Sequence, residues 1–181
     1  MNILLIGGSG RLMDSMILKL RKEGHRVFLL TGDKYRHNKY QKVFERYDFS
    51  YECENLDDIL NSVNADVTIL TGAFDTNYNW NGEERETVHF MSHLVNILVA
   101  SSVAGKGRVI FLSSDEIYSG NYANDIEEDE PFSGSGQKAD TLSQAEEMCE
   151  NFRLNRNMDI VVLRLDHLYG IPKEKKDVDN I

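Results

Sequence analysis

The apolar positions of the chain fall into two alternating patterns. Residues 2–6 (Asn2-Ile3-Leu4-Leu5-Ile6) form a short apolar run of strand character. The run breaks at Gly7-Gly8-Ser9-Gly10, and apolar residues resume at Leu12, Met13, Met16, Ile17 and Leu20 with helical spacing. Strand, glycine turn and helix thus follow one another directly. The helix is expected to stop near Glu23, with Gly24 as its C-terminal cap. Further strands are predicted at residues 26–30, 49–53, 65–70, 108–112 and 159–165. The run at 65–70 is continuous in Val, Thr, Ile and Leu, as in a strand buried on both faces. Helices are predicted at 37–47, with Tyr40, Phe44 and Tyr47 on one face, and from an Asn55 cap through Val63. A long helix over 83–104 carries an apolar stripe of Val88, Met91, Leu94, Val95 and Leu98. Leu142, Ala145, Met148, Cys149 and Phe152 mark another. Residues 72–82, with the only tryptophan, Trp80, and the polar stretch 113–136 read as loops.

Strand and helix alternate throughout, and right-handed crossovers then place helices on both faces of a parallel sheet. The fold class is α/β: a Rossmann-type doubly wound sheet of about six strands, with the first strand central. Residues 1–172 form one domain, and 173–181 are a polar, frayed tail. The ligand crevice belongs at the carboxyl edge of the strands, where the turns after Ile6, Leu30, Leu70 and Leu112 converge.

The glycine turn carries the first chemistry. Gly7 lets the chain leave the strand sharply, and Gly10 keeps side-chain atoms away from an approaching pyrophosphate. The N–H groups opening the helix favour that anion. A plain α/β turn is the alternative reading of two glycines; their place between the first strand and the first helix favours nucleotide binding. The fingerprint G-x-x-G-x-x-G has Met13 at its third glycine, a residue flexible enough to fill an irregular gap. Beyond the second strand, Asp33 could accept the ribose hydroxyls of NAD, whereas Lys34 or Arg36 could meet the 2′-phosphate of NADP. The sequence makes no choice between the two cofactors, and a solvated Thr31-Gly32-Asp33 turn is an equal alternative.

Charge narrows the partners. Among 181 residues, 30 are acidic and 20 are Lys or Arg, a formal net charge of −10. Nucleic acid and anionic membrane surfaces attract basic footprints and are not expected partners. Residues 115–130 hold seven carboxylates and no Lys or Arg, as a solvated loop does. Cys53 and Cys149 lack metal-ligand spacing and read as reduced thiols, and no metal site is expected. The N-terminus shows no signal-peptide pattern, and no apolar stretch reaches membrane-spanning length. The expected compartment is the cytoplasm.

Five segments, in order, resemble the extended short-chain dehydrogenases/reductases of the NAD-dependent epimerase/dehydratase group. Gly7-Gly8-Ser9-Gly10 looks like the glycine motif of that family. Asn55-Leu56-Asp57-Asp58 looks like its adenine-contacting D-L-x-D stretch, with Asn55 in place of the first Asp. Thr71-Gly72-Ala73 looks like its small-residue segment beside the cofactor. Ser113-Ser114-Asp115-Glu116-Ile117-Tyr118 is similar to the S-T-D-E-V-Y of sugar-nucleotide dehydratases. Arg164 to Gly170 looks like R-x-x-x-x-Y-G.

The resemblance implies NAD or NADP over Gly7, Gly8, Ser9, Gly10, Asn55, Leu56, Gly72 and Ala73, and a nucleotide sugar as substrate. It implies substrate binding by Ser114 and proton transfer by Asp115 and Glu116. It also implies a Tyr acid/base and a Lys four residues later that lowers the phenol pKa and holds the cofactor ribose. In the matching stretch Asp140 stands at the Tyr position and Gln144 at the Lys position. Lys138 does not restore the pair, because Gly134 lies four residues before it. The resemblance further implies a substrate-binding region after Pro172, where this sequence has nine residues, and subunit pairing through the 83–104 helix. Three readings follow: an oxidoreductase domain, a nucleotide sensor or scaffold of the same fold without catalysis, and a relic working through protein contacts.

Overall fold

The structure, a computed structural model, describes residues 1–8, 10–32, 45–48, 56–80, 84–105, 107–120 and 125–169. The expected residues Ser9, Asp33, Cys53 and Asn55, and the tail from 170 onward, lie outside them. The strands are β1 (Asn2–Ile6), β2 (Arg26–Thr31), β3 (Glu45–Asp48), β4 (Val67–Leu70), β5 (Arg108–Ser114) and β6 (Ile160–Leu165). The helices are α1 (Arg11–Lys22), α2 (Leu56–Val63), α3 (Glu84–Ala104) and α4 (Gln137–Asn155). The strands form one six-stranded sheet in the order β3-β2-β1-β4-β5-β6, and every pair is parallel. The strand order reverses between β1 and β4, which puts the glycine turn after β1 at the switch point.

The pleat sorts the core into two faces. Ile3, Leu5, Val27 and Leu29 pack with Met13 and Ile17 of α1. Leu4, Ile6, Phe28 and Leu30 face the opposite way, into the core shared with α2, α3 and α4. Cys149 lies in that second core as a free thiol. Burial pushes it up to about 12, with a further push from Glu146.

Several expectations need correction. The helix expected over 37–47 does not reach its end, because Glu45–Asp48 is the strand β3, with Tyr47 opposite Leu30. Sheet pairing there overrides the helical spacing of the aromatic residues. The remainder of that helix and the strand expected at 49–53 lie outside the described residues. Ser113 and Ser114 belong to β5 rather than to a loop, because the strand keeps pairing with Arg164 and Leu165 of β6.

The buried stripe of α3 is Phe90, Leu94, Ile97 and Leu98, whereas the expected Val88 is 65% exposed. Phe90 sets this phase by packing edge-on against Tyr78 and Trp80, with ring centroids 5.1 and 5.0 Å away. Arg85–Ala104 is also long and apolar enough to cross a membrane by length and composition, contrary to expectation. The cause is a helix apolar on two sides, with its inner side in the core and Val88, Val99 and Val103 outside.

Candidate functional site: the glycine turn and the β5–β6 edge

Gly7 leaves β1 at φ 144°, and its N–H donates to the Leu30 carbonyl at 3.0 Å. A Cβ on Gly7 would stand 1.7 Å from Thr71 Oγ1, and one on Gly8 would stand 2.2 Å from Thr76 Oγ1 and 2.7 Å from the Thr76 nitrogen. These two glycines are therefore required by the packing of the turn against the chain that leaves β4. Gly10 differs: a Cβ there would make only an ordinary 3.5 Å contact with Thr76 Cγ2. Gly10 supplies no side-chain cap to α1, and the start of a helix is the end that favours anions. Met13, at the third glycine position, is 2% exposed and fills the α1–sheet contact.

The segment after β4 presses on this turn. Gly72 and Ala73 are buried in a short 3-10 turn, and a Cβ on Gly72 would lie 2.2 Å from the Leu112 carbonyl. Asp75 Oδ1 accepts the N–H of Gly8 at 2.7 Å and that of Asn77 at 2.9 Å. Burial pushes the Asp75 carboxyl up to about 6, against the pull of the Asn77 and Gly8 hydrogen bonds. Below it lies a cavity of about 30 Å³ whose lining includes Gly7, Thr71, Asp75, Tyr78 and His93. The Tyr78 hydroxyl is hydrogen-bonded to His93 Nδ1. Burial, helped by His89, holds His93 down to about 4, so its ring is neutral at physiological pH. Leu56 starts α2 and is 4% exposed, with its side chain in the core.

The second part of the site lies where β5 and β6 end. Ser114 Oγ donates to Asp115 Oδ1 at 3.0 Å and accepts the N–H of Glu116 at 3.3 Å. This hydrogen-bonded turn opens the 3-10 segment Asp115–Tyr118. Lys138 Nζ donates to Glu116 Oε1 at 2.6 Å, with the Trp80 ring 5.9 Å away. The start of α4 is tied to α3 by the Gln137 Nε2 to Thr87 Oγ1 bond of 2.8 Å. Asp140 and Gln144 are exposed, whereas Ala139, Leu142 and Ala145 of the same helix face the core.

A cleft of about 880 Å³ continues past Asp115 and Glu116 to Tyr118, Arg164, Asp166 and His167. Asp115, Asp166 and His167 bring ligand-type atoms within 4.8 Å of one another, a set able to approach a cation. Hydrogen bonding to Asp166 raises the His167 pKa, with Asp115 adding to it, and His167 in turn lowers that of Asp166.

The fold thus gathers Gly7, Gly8, Gly10, Gly72 and Ala73 at one point and Ser114, Asp115 and Glu116 at another. Asp75, the Tyr78–His93 pair and Lys138 as the partner of Glu116 were not singled out in the sequence. The family model of the NAD-dependent epimerase/dehydratase family matches residues 3–181. The chain belongs to this family. No curated protein matches it.

Among solved structures it is similar to UDP-glucose 4-epimerase from Thermotoga maritima with UDP-glucose. The identity is 20% and the TM-score 0.78, over 91% of this chain and 55% of that one. It is similar to UDP-glucose 4-epimerase from Brucella ovis in complex with NAD at 18% identity and TM-score 0.77, over 90% and 51%. The Thermus thermophilus UDP-glucose 4-epimerase complex with NAD gives 16% and 0.77, over 91% and 54%. At these identities the likeness shows the fold. The chain spans about half the length of each of these structures.

Proposed function

We propose that the chain is the dinucleotide-binding part of an epimerase/dehydratase-type oxidoreductase acting on nucleotide sugars, and that by itself it transfers hydride slowly or not at all. The observation that carries the binding half is the glycine turn, which ends the central strand β1 at the switch point and opens α1. Gly7, Gly8, Ser9 and Gly10 would hold the pyrophosphate of NAD or NADP. Asn55 and Leu56 would lie near adenine, Asp33 near the ribose, and Gly72 and Ala73 beside the cofactor. When bound, the nicotinamide supplies the hydride acceptor.

The catalytic half lacks its usual acid/base. A sugar hydroxyl must lose a proton as its hydride leaves, and an efficient base has a pKa near the working pH. A Tyr beside a Lys meets that need because the cation favours the phenolate. Asp140 offers a short carboxylate where the family has a phenol, and Gln144, which would lie beside the cofactor ribose, brings no cation. Both are exposed on α4. Ser114, Asp115 and Glu116 remain at the strand edge as substrate-binding and proton-moving groups. Asp140, Gln144 and Met13 favour a second reading, a nucleotide sensor or scaffold without catalysis. The exposed Val88, Val99 and Val103 of α3 favour a homodimer through that helix.

Calorimetric titration with NAD, NADP and their reduced forms tests the binding half, and heat of binding to none of the four would sink it. Single-turnover reduction with a panel of nucleotide sugars tests the rest. Fast reduction that disappears in Asp140→Asn would make Asp140 the base and overturn the inactive reading.

A further inference from the structure

The glycine turn is held from behind by an internal anion. Asp75 Oδ1 takes the N–H of Gly8 at 2.7 Å and the N–H of Asn77 at 2.9 Å. Its other oxygen lies against Gly7, where an added Cβ would come within 3.0 Å of it. The residue is 9% exposed, and among the described residues no cationic side chain forms an ion pair with it. The carboxylate thus bonds Gly8, three residues before Arg11 begins the helix whose end would receive a pyrophosphate. Charges in a poorly solvated site are screened far less than at the surface. We propose that Asp75 sets the charge selectivity of the glycine cradle: ionised, it disfavours the pyrophosphate of a dinucleotide, and neutral, it admits it. The proposal rests on the nucleotide-binding reading and adds its regulation by protonation.

The titration range supports the idea. Burial brings the Asp75 carboxyl up to about 6, so its charge changes within the range a cell can reach. Among the described residues the surrounding groups are few. Tyr78 and His93 line the cavity with it, and His93 is already neutral above about 4. His89 lies behind His93 on α3, and the first turn of α1 carries Arg11 and Asp14. Thr71 and Thr76, both uncharged, border Gly7 and Gly8. A neutral Asp75 still accepts both N–H groups through Oδ1, so the turn keeps its shape while losing its charge. If a bound dinucleotide shifts the Asp75 titration by one pH unit, affinity differs by about tenfold between the protonated and ionised forms.

The test is calorimetric titration of the whole chain with NAD and with ADP-ribose at pH 5.5, 6, 7 and 8, for the natural protein and for Asp75→Asn. ADP-ribose carries the same pyrophosphate diester without the nicotinamide charge. The expected result is binding about tenfold weaker at pH 8 than at pH 5.5 in the natural protein. Asp75→Asn should show a flat profile, bound at pH 8 as tightly as the natural protein at pH 5.5. A flat profile in the natural protein, together with measurable binding, overturns this inference and leaves the nucleotide-binding reading intact. So does a slope that survives in Asp75→Asn, which would belong to His89 or another group. No binding of either ligand by either protein at any of these pH values overturns both readings. The profile of the natural protein needs no substitution, so a misfolded Asp75→Asn does not remove the test.

Discussion

Arg164 holds together the β5–β6 edge, and replacing it with Leu gives the sharpest structural prediction. Its guanidinium donates to Glu146 through Nε at 3.0 Å and Nη2 at 2.8 Å, and to the Glu128 carbonyl through Nη1 at 2.6 Å. Nη1 also donates to the Tyr118 hydroxyl. The group lies over both the Tyr118 and Phe132 rings, 5.1 and 5.2 Å from their centroids, and the two rings touch each other edge-on at 6.3 Å. The Glu146 side chain is only 5% exposed, so Arg164→Leu leaves a carboxylate buried without its cation. Removal of one member of such a pair costs about 3–5 kcal/mol, which for a domain of this size lowers the melting temperature by about 10 °C. The Tyr118 hydroxyl keeps its own bond to the Glu128 carbonyl at 3.1 Å, so the acidic stretch should loosen without leaving entirely. The control is Arg164→Leu with Glu146→Leu, which replaces the pair by apolar groups and should recover most of the loss. Thermal and urea unfolding followed by circular dichroism measures all three proteins. A single variant within about 1 kcal/mol of the natural protein, or a double variant no better than the single, would refute the assignment of Arg164 and Glu146 as a buried, mutually dependent pair.

Two further predictions concern the glycine turn. The Asp75 pKa is raised by folding from 3.8 to about 6, so the native state holds a proton that the unfolded chain releases. Its stabilising contribution is full below about 3.8 and is lost as pH rises through about 6. Asp75→Asn should therefore gain up to about 3 kcal/mol at pH 8 and change little at pH 4, as read from urea midpoints; lower stability at pH 8 would contradict the sign. His93, lowered to about 4, has the opposite slope between about 4 and 6.5, which flattens the curve of the natural protein and leaves Asp75→Asn gaining stability over that interval. Gly8→Ala should destabilise by about 1–3 kcal/mol through overpacking, because its Cβ would meet the Thr76 backbone nitrogen at 2.7 Å. Gly10→Ala should melt like the natural protein, since its Cβ meets nothing closer than 3.5 Å, yet bind NAD more weakly. Equal NAD affinity in Gly10→Ala would remove Gly10 from the cradle.

What the sequence revealed follows from how local each signal is. The β1–turn–α1 unit was legible because apolar spacing switches from contiguous to helical at Gly7. The inner strands β2, β4 and β5 were legible as apolar runs, the mark of strands covered on both faces. β3 was not, because Glu45–Asp48 reads Glu-Arg-Tyr-Asp and contains no such run; its state is set by pairing with β2. The stripe of α3 was legible in Leu94 and Leu98, which are buried, and in Met91, which packs on the core, but not at its start, where Val88 is exposed and Phe90 packs instead against Tyr78 and Trp80. Asp75 could not be singled out, because its meaning is a bond to Gly8, 67 residues earlier. Lys138 and Glu116, 22 residues apart, pose the same difficulty.

These differences bear on why binding and chemistry can part company in one chain. The cradle is made of backbone: two glycines fixed by Thr71 and Thr76, a helix end, and a buried carboxylate that receives two N–H groups. Such a site persists as long as the fold does, because changing it means repacking the sheet edge. Met13 illustrates the tolerance, since a side chain has entered the third glycine position and become part of the core. The chemical edge is made of side chains on the rim. Asp140 and Gln144 are exposed on α4, and Glu116 is committed to Lys138. Substituting such residues disturbs little packing, whereas a side chain at Gly7 or Gly8 would displace Thr71 or Thr76. The turn is thus the part of the site that packing fixes, and Asp75 is the side chain built into it through its bonds to Gly8 and Asn77.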